Sequence, residues 1–251
     1  MTTLFISDLH LTAGRPAINE LFFDFLEHEA RRARVLYILG DFFEYWIGDD
    51  ALDQAEYQPI ARSLRAVVEA GTPVNIMRGN RDFLLGARFE REIGCALIGD
   101  PSVIDLYGTP VLLMHGDTLC TGDVDYLAFR KMTRADGWQR DFLAKPAPER
   151  DAIARGHREL SRQSTAQKAP EIMDVTQAAV VAALREHGVR HLIHGHTHRP
   201  AQHVFDLDGA PAARTVLGDW YQHGSVLRVT PRGQTLERLV LKPQGEAARS
   251  L

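Results

Sequence analysis

Five short apolar runs of this chain are each followed at once by side chains that can bind a metal ion. In chain order these side chains are Asp8, His10, Asp41, Asn80, His115, His196 and His198. A mixture of carboxylate, amide and imidazole ligands suits Mn²⁺, Fe or Zn²⁺ rather than Ca²⁺. Seven ligands exceed what one ion normally takes from a protein. The set therefore predicts two ions that share a carboxylate and keep open positions for water and substrate.

Each of these residues taken alone has an ordinary alternative. A histidine at the end of a strand is more often a surface or core residue, and a Gly-Asp pair after a strand is more often a turn. His194 stands directly before the His196 and His198 pair, and we assign it no ligand role. The prediction rests on the coincidence of five such strand ends, because packing alone does not require this mixture of side chains.

The apolar runs predict strands that are buried on both faces. They cover 4–6, 35–39, 74–77, 111–114 and 192–193. Helical patterns lie between them, at 18–26, 57–70 and 174–187. This alternation predicts an α/β arrangement that collects its ligands at the carboxyl ends of strands. If Asp8 and His10 continue a strand, the spacing of two residues points both side chains to one face, as it would for His196 and His198.

The sequence pattern changes after residue 200. An Asp208-Gly209 turn signal separates two short apolar runs, and 224–230 and 234–241 are typical of further strands. These patterns predict antiparallel hairpins, so the fold class is α/β with an α+β character. We expect residues 243–251 to be a flexible tail.

Composition limits the possible functions. The chain has 251 residues, of which 45% are hydrophobic and 25% charged, with a net charge of −4. These values are typical of a soluble globular protein and argue against a nucleic-acid partner held by bulk positive charge. The N-terminus lacks the features of a signal peptide, and no run is long enough to span a bilayer. Cys95 and Cys120 form no CxxC pair, so we expect two reduced thiols in a cytoplasmic protein.

Residues 121–170 differ from the rest of the chain. They carry ten Lys or Arg against seven Asp or Glu, a local charge of +3, with aromatic residues interleaved. Strand-like runs are absent, so we expect a helical insertion in two or three pieces. Its aromatic side chains could line a groove for acyl chains or pack the helices of the insertion. Tyr45 and Trp46, just after Gly40-Asp41, fit either the core or the mouth of the site.

The motifs D-x-H, G-D, G-N-R-D, H-G-D and G-H-T-H occur here in that order. Over residues 4–200 the chain therefore resembles the calcineurin-type metallophosphoesterase superfamily. The resemblance implies a four-layer α-β-β-α sandwich with a helical insertion, or cap. We expect the core to comprise 1–120 and 171–242 and the cap to comprise 121–170.

The resemblance also assigns the ligands. It implies that one ion is held by Asp8, His10, Asp41 and His198, and the other by Asp41, Asn80, His115 and His196. Many members carry a histidine after the Gly-Asn pair, where this chain has Arg81. Arginine cannot act as a general acid because it keeps its proton in proteins, but it can clamp a phosphate. This favours a substrate whose leaving group needs little protonation.

Longer stretches resemble one branch of the superfamily, which cleaves the pyrophosphate of UDP-2,3-diacylglucosamine in lipid A biosynthesis. They are FISDLHL, ILGDFFEYWIGDD, RGNRDFLLG, LMHGDTLCTGD, APEIMDV and HGHTHRP. The resemblance implies that a hydroxide held by two metal ions, most typically Mn²⁺, attacks the α-phosphorus. The products would be UMP and 2,3-diacylglucosamine 1-phosphate (lipid X). It also implies a peripheral protein on the cytoplasmic face of the bacterial inner membrane, and we expect a monomer.

The same resemblance implies two sets of functional residues. The catalytic set is Asp41, Asn80, Arg81, His115 and His196. The substrate-binding set is Asn80, Arg81, Asp123, Ser161, Thr165, Lys168 and His196. Thr165 departs from the pattern, since an asparagine is typical there, which puts one polar contact to the glucosamine in doubt.

Two other interpretations stay open. The chain could be a metallophosphoesterase for nucleotides, cyclic nucleotides or phosphoproteins, although such an enzyme would not need the 121–170 insertion. It could also be a non-enzymatic scaffold that has lost its metals, although such a protein would be expected to lack some of the seven ligands.

Overall fold

The computed structural model of the chain describes residues 1–168 and 172–241, without the side chains of residues 164–167. The tail expected at 243–251 lies outside the described residues. Two β-sheets pack face to face, and helices cover the outer face of each. The mixed α/β fold with layered sheets and helices is confirmed.

The first sheet has six strands in the order β11-β10-β1-β2-β3-β4. Strands β1 to β4 run parallel to one another, whereas β10 and β11 add an antiparallel edge. Their bounds are β1 Thr3–Ile6, β2 Val35–Leu39, β3 Val74–Met77, β4 Ala96–Ile98, β10 Gly224–Thr230 and β11 Gly233–Leu239.

The second sheet has five strands in the order β5-β6-β7-β9-β8. The three central strands are parallel, and both edge strands are antiparallel to their neighbours. The bounds are β5 Ser102–Leu106, β6 Thr109–Met114, β7 His191–His194, β8 Ala201–Leu207 and β9 Ala210–Val216. The hairpin predicted around Asp208-Gly209 joins β8 to β9.

Seven α-helices complete the described part of the chain. They are α1 Pro16–His28, α2 Gln58–Glu69, α3 Ala87–Ile93, α4 Val124–Thr133, α5 Asp136–Leu143, α6 Ala147–Gln167 and α7 Gln177–Glu186. The helix expected at 57–70 corresponds to α2. The helix expected at 174–187 begins later, because the Thr176 hydroxyl accepts a hydrogen bond from the Ala179 backbone N–H and caps α7.

Apolar burial explains the layers. Phe5, Leu39 and Met77 of the first sheet meet Leu113 and Ile193 of the second in a core between the sheets. A larger core lies under α1, α2 and α3, and a smaller one lies under α7. Because both faces of the central strands are covered, these strands read as continuous apolar runs in the sequence.

Helices α4, α5 and α6 lie within the segment expected to be a cap. Phe142 of α5 is buried in the same core as α1 and α2, and Trp138 stacks on it with ring centroids 4.9 Å apart. Phe142 therefore belongs to the core, and the half-buried Trp138 packs against it. The division of the chain into a core and a cap stays a prediction.

Candidate metal centre

Most of the predicted ligands have an unusual backbone. Positive φ angles of 50–69° occur at Asp8, His10, Asp41, His196 and His198. Residues other than glycine rarely adopt this left-handed conformation, and it costs of order 1 kcal/mol or more at each position. Such conformations cluster at functional sites, where the surrounding structure holds them in place.

The strand geometry expected for the two ligand pairs is wrong. Strand β1 ends at Ile6 and β7 ends at His194, so both pairs follow a strand rather than continue it. The alternation of faces along a strand therefore does not apply to them. The left-handed turns bring the side chains of Asp8, His10 and His198 together instead.

One group of potential ligands comprises these three side chains. Asp8 Oδ1 lies 3.3 Å from His198 Nε2, and His10 Nε2 lies 3.4 Å from the same nitrogen. The other Asp8 oxygen, Oδ2, accepts hydrogen bonds from the Ser7 hydroxyl and the His196 backbone N–H. Asp8 Oδ1 is buried without a hydrogen-bond partner in the described residues, and so is His10 Nδ1. Because unpartnered buried polar atoms are costly, these atoms fit a cation.

A second group comprises Asp8, Asp41 and His115, with Asn80 beside it. The Nδ1 of His115 lies 2.9 Å from the Leu39 carbonyl oxygen, which makes Nδ1 the protonated nitrogen. Its Nε2 therefore faces Asn80 Oδ1, at 2.8 Å, with a lone pair unless a second proton is bound. The same amide oxygen lies 2.9 Å from His196 Nδ1. A proton on His115 Nε2, or a metal ion between the two atoms, would satisfy both the imidazole and the amide oxygen.

The pKa values of His115 and Asp41 agree with a positive charge at this place. Burial lowers the pKa of His115, but Asp41, Asp117 and Asp8 outweigh it and raise the pKa to about 9. Burial raises the pKa of Asp41 to about 7, against the opposing charges of His115 and Arg81. At neutral pH a proton on His115 would therefore have to leave before this imidazole could bind a metal ion.

The pKa values of two other predicted ligand histidines, His196 and His10, shift in the opposite direction. Burial, together with the charge of His115, lowers the pKa of His196 to about 4. Burial and the charge of Arg81 lower the pKa of His10. A neutral imidazole is the form that binds a metal, so both side chains are prepared for coordination.

Two glycines allow the ligand loops to approach one another. A Cβ atom at Gly79 would collide with the carboxylate and backbone nitrogen of Asp41, and one at Gly195 would collide with the side chains of Ser7 and Asp8. The glycines of the G-N-R-D and G-H-T-H motifs therefore serve close packing of neighbouring loops.

Arg81 lies against the predicted bridging carboxylate. Its backbone N–H donates to Asp41 Oδ1 at 2.9 Å, and its Nε is 3.5 Å from Asp41 Oδ2. A guanidinium nitrogen of Arg81 also contacts Glu44, at 3.3 Å. Sequence reasoning missed Glu44, although its position three residues after Asp41 was a usable signal.

Asp82 is a second residue that sequence reasoning missed. It is fully buried, and its two oxygens accept hydrogen bonds from the backbone N–H groups of Gly79 at 2.7 Å and Phe42 at 2.6 Å. It therefore ties the loop after β3 to the loop after β2. The signal was the acid that ends Gly79-Asn80-Arg81-Asp82, since a short acid often binds backbone N–H groups in a turn.

Four of the predicted substrate residues, Asp123, Ser161, Thr165 and Lys168, lie on or next to helices α4 and α6. Asp123 caps α4 by accepting from the Tyr126 backbone N–H, and Lys168, just after α6, donates to its oxygens at 2.6 and 2.8 Å. Ser161 is exposed on α6. Thr165 belongs to the same helix, but its side chain lies outside the described part of the chain. The structure thus brings Asp123 and Lys168 together.

The H-G-D motif connects α4 to the metal centre. Asp117 accepts hydrogen bonds from the Tyr126 hydroxyl and from Arg130 Nε. The Tyr126 ring lies 6.0 Å from that of His196. The helix that carries Asp123 at its start is thereby held beside the ligands that follow β6 and β7.

Two residues left open or set aside in the sequence have clear positions. Trp46 is buried and stacks on Phe43, with ring centroids 4.5 Å apart, so it belongs to the core. His194 is buried, its Nδ1 lies 2.8 Å from the Gly195 carbonyl oxygen, and Arg214 is 3.3 Å from its Nε2.

Cys95 and Cys120 are both buried, free thiols. Within 1–168 and 172–241, no helix combines the length and apolar character needed to cross a bilayer.

Comparison with known proteins gives a consistent result. Residues 1–200 match the model of the calcineurin-like phosphoesterase family. A UDP-2,3-diacylglucosamine hydrolase of Pseudomonas aeruginosa is 54% identical over 93% of this chain and 97% of its own. Its counterpart from Chromohalobacter salexigens is 54% identical over 88% of this chain and 89% of its own. That of Xanthomonas campestris is 50% identical over 96% of this chain and 100% of its own.

The family model matches most of the chain, and the relatives are similar to it over most of their length. Both findings agree with the potential metal ligands that follow β1, β2, β3, β6 and β7. This chain is a metal-dependent hydrolase that belongs to the calcineurin-like phosphoesterase family.

Proposed function

We propose that this protein hydrolyses the pyrophosphate bond of UDP-2,3-diacylglucosamine, giving UMP and 2,3-diacylglucosamine 1-phosphate (lipid X) for lipid A biosynthesis. The observation that carries the proposal is the near full-length identity of 50–54% to hydrolases of that name. The two groups of buried potential ligands supply a site for the reaction.

Divalent metal ions are implied by the family, and the donors present fit them. We assign one ion to Asp8, His10, Asp41 and His198, and the other to Asp41, Asn80, His115 and His196. Asp8 and Asp41 each lie near histidines that we assign to different ions. The Oδ2 atom of Asp41 faces His10, and its Oδ1 atom faces His115. Nitrogen and oxygen donors in this proportion suit Mn²⁺, which we propose as the cofactor.

Two such ions, when bound, lower the pKa of water and neutralise charge that develops on the phosphate. The side chains around them supply the other contacts to the substrate. Arg81 donates to the phosphate oxygens and cannot give up its proton, so it stabilises charge without acting as an acid. Asn80 and His196 lie within 3 Å of each other at the edge of the second group, where both can touch the substrate.

The lipid-bearing end of the substrate is assigned to the helical side of the site. Asp123 and Lys168 offer one acceptor and one cation for a sugar, and Ser161 and Thr165 are on the adjoining helix. In the free protein Asp123 and Lys168 pair with each other. Substrate binding would exchange part of this pairing for contacts to the glucosamine hydroxyl groups.

We also propose that the protein acts as a monomer on the cytoplasmic face of the bacterial inner membrane. Helices α4 and α6 expose large apolar side chains, among them Val124 at 69% and Leu160 at 64%. Exposed basic residues, including Lys131 and Arg162, lie on the same helices. This combination favours the surface of an anionic membrane.

A direct assay tests the activity. Purified protein is incubated with UDP-2,3-diacylglucosamine and Mn²⁺, with and without chelator, and UMP is measured. We expect metal-dependent release of UMP and no comparable turnover of cyclic nucleotides or phosphopeptides. Preferential cleavage of either of the latter would favour a different phosphoesterase, and an absence of bound metal would favour a scaffold.

A further inference from the structure

One carboxylate next to the metal centre is surrounded by three arginines from distant parts of the chain. Glu44 follows β2, whereas Arg15 precedes α1, Arg81 follows β3 and Arg158 belongs to α6. Glu44 Oε1 accepts a hydrogen bond from Arg158 and another, at 3.3 Å, from Arg81. Arg15 lies 4.0 Å from Oε2. None of these four side chains is more than 30% exposed.

The second oxygen of Glu44 faces the metal centre. Oε2 lies 3.8 Å from His10 Nδ1 and is buried without a hydrogen-bond partner in the described residues. Glu44 thus stands between a predicted metal ligand and the guanidinium groups. A carboxylate in this place can orient the ligand on one side and the arginines on the other.

The charges around Glu44 do not balance. Three guanidinium groups face a single carboxylate, and the Asp41 carboxylate, 3.5 Å from Arg81, is itself assigned to the metals. The excess positive charge in a partly buried position is suited to an anion with several oxygen atoms.

Fastening α6 does not require Arg158. The same helix is already held to the loop after β2 by Arg150, which bonds to Asp50 and to the Ile47 carbonyl, and by Asp151, which accepts from the Tyr45 hydroxyl at 2.9 Å. Arg158 lies two helical turns beyond these contacts and reaches toward the centre. Its pairing with Glu44 places a cation beside the site.

We propose that Glu44 is a positioning residue, and that the Arg158 it holds is a further contact for the diphosphate of the substrate. Glu44 keeps Arg81 and Arg158 directed at the place where the phosphate oxygens bind, so that binding does not have to order two long side chains. This inference rests on the proposed function, because it assigns the anion to the diphosphate of the nucleotide-linked substrate.

The test compares Glu44→Gln, Arg158→Ala and Arg158→Lys with Asp151→Asn. The last variant changes the same helix about two turns away from Arg158, at a carboxylate that pairs with Arg155 and Tyr45, and serves as the control. Each protein is loaded with Mn²⁺. We measure kcat and KM for UDP-2,3-diacylglucosamine, the dissociation constant of inorganic phosphate by calorimetry, and Tm.

For Arg158→Ala we expect KM and the phosphate dissociation constant to rise about tenfold or more, as for the loss of one charge-assisted hydrogen bond. Arg158→Lys should recover part of the loss, because the charge remains without the bidentate geometry. Glu44→Gln should raise both constants less. In a variant that combines Glu44→Gln with Arg158→Ala, the loss of binding free energy should be smaller than the sum of the losses in the two single variants. Asp151→Asn should leave both constants within about twofold.

Unchanged phosphate binding in Arg158→Ala would overturn the inference. Equal effects of Arg158→Ala and Asp151→Asn, tracking Tm, would also overturn it, since they would show a purely structural role. If the unaltered protein does not cleave UDP-2,3-diacylglucosamine, the proposed function fails, while the phosphate measurements still decide whether the arginines hold an anion.

Discussion

Asp41 and His115 face each other across 3.7 Å, from Oδ1 to Nε2, while Oδ2 of the same carboxylate lies 3.9 Å from His10 Nδ1. The two oxygens of one side chain thus face histidines assigned to different metal ions. This arrangement supports a bridging role, since a carboxylate can bind a different ion through each oxygen. It also brings a buried acid close to a buried histidine, which couples their protonation.

Changing Asp41→Asn should separate function from stability. The amide keeps the shape but cannot supply two anionic oxygens, so we expect fewer than two bound ions per chain and a loss of turnover of at least about a hundredfold. Burial raises the pKa of Asp41, which means that the charged form is unfavourable without metal. The metal-free variant should therefore melt no lower than the metal-free parent at pH 8. Normal metal content with normal turnover would contradict the bridging role.

Changing Asp8→Ala or His115→Ala should abolish Mn²⁺-dependent turnover without unfolding the protein. Each side chain belongs to a group of potential ligands and is not part of the apolar core between the sheets. Turnover is measured beside circular dichroism, and folded but inactive variants are expected. Near-normal activity of either variant would remove it from the ligand set.

The substitution Asp82→Asn should weaken the metal centre, although Asp82 is not itself a proposed metal ligand. The Asp82 carboxylate accepts hydrogen bonds from backbone N–H groups of both ligand loops. An amide can accept at only one end, so a buried N–H loses its partner, at a cost of roughly 1–3 kcal/mol. Denaturant unfolding should show this loss, together with weaker metal binding. An exposed acid on the surface, such as Glu20→Gln, should change neither quantity.

Metal binding should release protons at pH 7. The pKa of His115 is raised to about 9, so the metal-free protein holds a proton there that a metal ion must displace. Apparent affinity for Mn²⁺ should therefore weaken as the pH falls through the range of these pKa values. Calorimetry in buffers of different ionisation enthalpy measures the number of protons, for which we expect on the order of one. A heat that does not depend on the buffer would show that His115 is already neutral.

The stability of the metal-free protein should fall in acid, partly through His194. Burial lowers the pKa of this histidine from 6.5 to about 3. Between these two pH values the unfolded chain binds a proton that the folded protein does not. The free energy of unfolding therefore decreases by about 1.4 kcal/mol for each unit by which the pH is lowered. The variant His194→Asn lacks this proton and should show a shallower slope, whatever its absolute stability. Parallel slopes would show that His194 does not contribute.

Changing Lys168→Ala should affect substrate binding more than chemistry. Its ammonium group pairs with Asp123, away from the metal ligands, so we expect KM to rise about tenfold with kcat reduced less. Lys131→Ala, a change at an exposed lysine of α4, is the matched control. A loss confined to kcat would place Lys168 at the reacting phosphate instead.

The positions of the proposed metal ligands in the fold were largely predictable because their signals are local. Each proposed ligand follows a buried strand, and short-range patterns of apolar residues and glycines indicate such strand ends. The sequence also indicated the hairpins and the positions of α1 and α2. The short strands β4 and β5 and helix α3 were not predicted, because they carry too few residues for a clear period.

Sequence alone determined which side chains stand at the ends of the central strands and what class of ions they suit. Tertiary structure decided how these ends meet: five ligands reach one another through left-handed backbone rather than through strand alternation. It also decided that Asp82 links two loops and that the Glu44 carboxylate lies beside Arg15, Arg81 and Arg158. Such contacts join residues far apart in the chain, and their partners are fixed only when the sheets and helices have packed.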